Sequence, residues 1–139
     1  MKLLLPLFLV LCAGPALAAD PIAGQAVFKK CKACHAIIAP DGTEIEKGGK
    51  VGPNLYGVIG RQIGSESGYL AKYGPSILAA GADGTVWDQA LLSAYLLDPS
   101  AWLQGQTGDG AAMSKMGLKL AKGGEDVAAY LASVAQAAP

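Results

Sequence analysis

The chain predicts an all-α domain of about four to five helices joined by long loops, and three observations carry that prediction. No stretch alternates strand-like with helix-like patterning. Apolar residues recur at helical spacing in segments that open on capping residues. Two glycine-rich stretches, residues 40–67 and 105–117, have no sustained period of either kind and read as long ordered loops.

The first element stands outside the domain. Met1-Lys2, the apolar run LLLPLFLVLCAG, Pro15 and then ALAAD make a positive start, an apolar middle and an Ala16-x-Ala18 pattern, which is a secretory leader. As a membrane anchor the segment from Leu3 to Ala19 only reaches the lower limit for a bilayer span, and Pro6 and Gly14-Pro15 cut into it. A leader over residues 1–19 leaves residues 20–139 as one domain. Asp20-Pro21 is a cap with proline at the first helical position, and the first helix is expected to run to about Ala33. A second helix is expected over residues 67–80, broken near Gly74-Pro75, and a third over residues 87–97, ended by Asp98-Pro99. A short turn at residues 100–104 follows. The last helix should begin near Gly124, with Glu125 and Asp126 at its positive end and Val127, Tyr130, Leu131 and Val134 on one apolar face. Glycine buries little and loses most entropy on folding, so this chain is short of packing material. A large apolar cofactor would fill the deficit.

Charge excludes one class of partner. Basic and acidic residues balance at 11 each, and loss of Lys2 with the leader tips the domain slightly negative, so no global basic field favours nucleic acid. The chemistry is concentrated in CKACH, residues 31–35, which holds both cysteines outside the leader and the sole histidine. A thioredoxin-like dithiol would need a βαβ pattern, which is missing. Zinc needs about four ligands, and Cys31, Cys34 and His35 are three. C-x-x-C-H in an exported chain is the pattern of covalent haem attachment. On a helix, at about 100° per residue, the three side chains leave one flank within about one turn. With a single histidine, the sixth iron position falls to a methionine, a lysine, water or an external ligand, and Met113 and Met116 are the thioethers of the domain.

CKACHAIIAPDGTEIEKGGKVGPNLYGVIGR, followed by YGPSI, TVWD, SAYLLDP and SKMGLKLAKGGEDVAAYLASV, resembles the class I c-type cytochromes, and closely the bacterial cytochrome c2 branch. The resemblance runs through the whole domain in order. It implies the cytochrome c fold wrapped around one covalently bound haem c, with Cys31 and Cys34 as thioether partners, His35 as one iron ligand and Met116, in a Lys-Met motif, as the other. It further implies that the Pro53 carbonyl holds the outer nitrogen of His35. Arg61, Tyr73 and Trp87 match positions around the haem propionates, and Tyr95 matches the tyrosine near the methionine sulfur. Gly24 and Phe28 resemble residues that pack the first helix on the last, against Val127 and Tyr130.

The function implied is a soluble, monomeric periplasmic one-electron carrier rather than an enzyme. Its donor would be a cytochrome bc complex and its acceptor a photosynthetic reaction centre or a terminal oxidase, in photosynthesis or respiration. A peroxidase or gas-binding protein would lack a distal ligand, against which Met116 stands, and a sensing module would carry extra binding extensions. Lys29, Lys30, Lys32, Lys115, Lys119 and Lys122 lie in the two segments that must flank the haem, whereas acids collect at residues 41–46, 83, 88, 98 and 125–126. That asymmetry predicts a positive docking face on a chain of near-zero net charge.

Overall fold

Asp20 caps the first helix as its type dictates, its side chain accepting from the Ile22 amide at 2.8 Å, and Pro21 occupies the first turn, where no amide is needed. The structure, a computed structural model, describes residues 18–136. The leader expected over residues 1–19 lies, apart from its last two residues, outside the described residues.

Helix α1 spans Pro21–Phe28 and stops short of the expected Ala33. Past Phe28 the amides reach back three residues instead of four, Lys30 N to Val27 O and Cys31 N to Phe28 O, and the loop takes carbonyls further on. Gly49 N donates to Lys32 O, Gly52 N to Cys34 O and Leu55 N to Ala36 O. Residues 28–35 therefore continue as tight turns, with Cys31 N on Phe28 O and both Cys34 N and His35 N on Cys31 O. The loop expected over residues 40–67 contains part of a small hairpin, in which β1 (Ile37–Ile38) pairs antiparallel with β2 (Glu44–Glu46). Its turn is set by Asp41, which accepts from Thr43 N, and by Gly42 at φ 88°.

A 3-10 helix over Ser67–Lys72 and α2 over Pro75–Ala80 are separated at Gly74-Pro75, where the break was expected. Helix α3, Gln89–Leu97, is capped by Asp88 on Leu91 N at 2.7 Å. The short turn expected at residues 100–104 is instead a full helix, α4, over Pro99–Thr107. Asp98-Pro99 ends α3 and also starts α4, because Asp98 accepts from Ala101 N and Pro99 sits at the first helical position. Gly108, at φ 72°, closes α4. Helix α5 spans Gly124–Gln136.

Helix α1 packs on α5, and α5 also packs on α3, while α4 bridges α2 and α3. The α1–α5 approach is closest at Gly24, where a Cβ would run into the Asp126 backbone carbonyl. Phe28 meets Tyr130 at 5.7 Å between ring centroids, and the Asp20 amide donates to Asp126 Oδ1 at 2.8 Å. Phe28, Ile37, Leu103, Val127 and Leu131 are fully buried. Between this packed side and the loops lies the cavity that the functional side chains share.

Candidate functional site

Cys31, Cys34, His35, Pro53, Arg61, Tyr73, Trp87, Tyr95 and Met116 all line one cavity of about 550 Å³. They reach it from the turn after α1, the loops on either side of the 3-10 helix, the start and middle of α3, and the segment between α4 and α5. Leu55, Val58, Leu92, Leu96, Val127 and Leu131 supply its apolar walls. A second cleft, of about 500 Å³ between α3 and the approach to α5, is lined by no cysteine, histidine or methionine.

The His35 ring is fixed on two sides. Its Nδ1 lies 2.7 Å from Pro53 O, and since a carbonyl can only accept, Nδ1 carries the proton and Nε2 keeps its lone pair. Burial pulls the His35 pKa down, partly opposed by the Pro53 bond, and Arg61 lowers it further, so the neutral imidazole is favoured. Gly52 lies flat against the ring, where a side chain would collide with it. Gly48 and Gly49 pass as close to the backbone carbonyls of His35 and Ala33. The glycine-rich loop is thus a mould for the C-x-x-C-H turn.

Cys31 is buried and Cys34 exposed, and both thiols are free. Burial pushes the Cys31 thiol up to about 11, with Cys34 adding to the shift and Lys30 opposing it. A redox-active dithiol needs a depressed thiol pKa, so this environment disfavours that chemistry. Among the described residues no group of three or more His, Cys, Asp and Glu side chains could hold a metal ion.

Met113 and Met116 both line the cavity, but Met116 is half-buried, whereas Met113 is 71% exposed. Tyr95 OH and Ser114 Oγ are 2.8 Å apart, and Ser114 Oγ accepts from Met116 N at 3.0 Å. Ser114 therefore links the tyrosine to the methionine backbone, a role its sequence signal did not reveal. Trp87 is 5.2 Å from both Tyr95 and Trp102, centroid to centroid, which makes one aromatic block behind the wall. Arg61 donates to Asn54 O at 3.0 Å and Tyr56 O at 3.3 Å, so its charge is held by carbonyls, and burial lowers its pKa. Tyr73 OH accepts from Glu66 N at 3.3 Å, and burial raises its pKa. Tyr69, also on the cavity, donates to Val51 O at 2.6 Å and sets its ring edge-on to Tyr73. A tyrosine pair four residues apart was its one sequence signal.

Of the six lysines expected on a positive docking face, two stand in ion pairs. Lys32 is 2.8 Å from Glu46, and Lys119 is 2.7 Å from Asp98, so both are neutralised locally. Lys30, Lys72 and Lys115 border the cavity, and Lys72 was not anticipated. Lys115 Nζ donates to Lys72 O at 2.8 Å.

Apolar walls, two free thiols, a neutral imidazole with an available nitrogen, a thioether and a guanidinium with no ion-paired carboxylate among the described residues fit haem c. No protein-family model matches the chain. Cytochrome c2 of Rhodobacter capsulatus is 55% identical over 122 residues, covering 88% of this chain and 88% of that protein. Cytochrome c-550 of Paracoccus pantotrophus is 53% identical over 115 residues, covering 81% of this chain and 84% of that protein. The solved structure of cytochrome c2 isolated from Rhodobacter capsulatus aligns with a TM-score of 0.81 at 54% identity, over 84% of this chain and 98% of that one. The chain therefore belongs to the cytochrome c2 family of class I c-type cytochromes, electron-transfer proteins, not enzymes, that carry one covalently attached haem c.

Proposed function

We propose that this protein is a soluble, monomeric periplasmic carrier that takes single electrons from a cytochrome bc complex and delivers them to a photosynthetic reaction centre or a cytochrome oxidase. Its leader, residues 1–19, is removed on export, and residues 20–139 form the working domain. The observation that carries the reading is that the sole histidine, with a free Nε2, shares one apolar cavity with Met116 and with the thiols of Cys31 and Cys34.

When bound, haem c supplies a one-electron iron couple. Cys31 and Cys34 would hold it by thioethers, and His35 and Met116 would ligate its iron. A soft thioether and an apolar wall favour the reduced state and raise the potential. Pro53 fixes the imidazole tautomer, which leaves the lone pair of the neutral ring on Nε2. Arg61 and Tyr73 would face the propionates, and Tyr95, through Ser114, would hold the Met116 backbone. Among the described residues no helix is long and apolar enough to cross a membrane.

A visible spectrum of the purified reduced protein, followed by a redox titration of that spectrum, tests the reading. A six-coordinate c-type spectrum with a single one-electron wave is expected. Haem released by denaturing acid extraction, or a carbon monoxide complex formed by the native reduced protein, would overturn it.

A further inference from the structure

Met116 stands in a segment with no regular secondary structure between α4 and α5, so the usual backbone ladder does not hold it. Two consecutive amides just before it are held instead by serine hydroxyls from two different helices. Met113 N donates to Ser76 Oγ on α2 at 3.1 Å, and Ser114 N donates to Ser100 Oγ on α4 at 3.0 Å. Gln104 on α4 adds a bond to Ala112 O at 3.2 Å. Neither Ser76 nor Ser100 lines the cavity, and neither hydroxyl is needed to complete its own helix.

We infer that Ser76 and Ser100 are positioning residues for the sixth iron ligand, a two-point clip that sets how often the Met116 segment lifts away from the cavity. The inference rests on the reading of Met116 as that ligand. Beyond Met116 the chain is anchored again by Leu120 N on Leu96 O at 2.8 Å and by the Lys119–Asp98 pair. The segment between the two anchor points can therefore open while α1, α3 and α5 stay packed. Such local opening is governed by the few bonds that close it rather than by global stability. One neutral hydrogen bond of this kind changes an opening equilibrium by about fivefold, and two on separate helices by about 25-fold.

The test uses the ferric holoprotein and its Ser76→Ala, Ser100→Ala and doubly substituted variants, with imidazole as the competing ligand. Each single change should raise imidazole affinity about fivefold and the pair about 25-fold. Amide hydrogen exchange should accelerate at Met113 in Ser76→Ala and at Ser114 in Ser100→Ala. The denaturant midpoint read by far-ultraviolet dichroism should move much less than these local quantities. Threonine at either position keeps a hydroxyl and should restore parental values. An unchanged imidazole affinity in the double variant, or exchange at the two amides no faster than in the parent, overturns the clip. In a Met116→Ala background the serine changes should no longer alter imidazole affinity. If Met116→Ala itself leaves that affinity at the parental value, the ligation reading fails and the inference falls with it.

Discussion

At His35 the chain spends glycine where other folds spend side chains. Gly52 lies against the imidazole so closely that Gly52→Ala must tilt the ring or displace the loop. The expected outcome is a holoprotein with a weakened iron–histidine bond, seen as a high-spin fraction in the ferric spectrum that the parent lacks. The two methionines on the cavity should separate cleanly. Met116→Ala should lose the sulfur-to-iron charge-transfer band and gain carbon monoxide binding in the reduced state, and Met113→Ala, altering a side chain 71% exposed, should do neither. The reverse pattern would move the ligand to Met113. Residues such as His35 and Met116, which share the cavity, were recognisable as candidates because their atom types are scarce in this chain and their spacing has few chemical uses. Ser114, Ser100 and Tyr69 were not, because a serine or tyrosine bonding a distant amide or carbonyl looks like any other. The partner of Lys32 was hidden for the same reason, since Glu46 is brought to it by a hairpin that two short strands barely announce.

That hairpin is more than a connector. Glu46 on β2, with its side chain only 12% exposed, takes Lys32 Nζ at 2.8 Å, Tyr130 OH at 2.9 Å and Gln25 Nε2 at 3.2 Å. One carboxylate thus ties the C-x-x-C-H turn, α5 and α1 together. The bond from Lys32, foremost, holds the Glu46 pKa below its ordinary 4.5 against the effect of burial. A depressed carboxylate stabilises the fold above its unfolded pKa and loses that contribution as pH falls through the folded value. The parent should therefore lose stability in the acid range below about 4.5, and Glu46→Gln should flatten that limb in denaturant titrations across pH. Tyr130 behaves oppositely: burial, then Glu46, raise it to about 12, so its contribution is intact below 10 and disappears as pH rises through about 12. Tyr130→Phe should remove the alkaline limb. At the α1–α5 crossing, Gly24→Ala would drive a methyl into a backbone carbonyl and should cost about 3 kcal/mol, read as a lowered melting temperature. The helices with strong caps were readable from the sequence. Helix α4 was missed because its Asp98-Pro99 start doubles as the stop of α3, and α1 was overextended because no proline or glycine in residues 28–33 marks the change to three-residue turns.

At the scale of the whole molecule, some lysines stand in ion pairs and others border the cavity. Lys32 and Lys119 are neutralised by Glu46 and Asp98, whereas Lys30, Lys72 and Lys115 border the cavity. Docking to an acidic redox partner should follow that division. Lys72→Glu or Lys115→Glu should slow association markedly and Lys47→Glu only slightly, with the potential nearly constant, and the difference should shrink as salt shortens the screening length to about 8 Å. Stopped-flow electron transfer against ionic strength measures it, and equal effects at all three positions would point to apolar docking. The same global view bears on the contact between Asp20 and Asp126, which are separated by 106 residues. Closing so long a loop is entropically costly. Among the described elements the first helix is thus completed only by the last. Until residues 124–136 dock, Val127 and Leu131 are missing from the cavity wall, and that side of the cavity stays open to whatever must be attached to its two thiols.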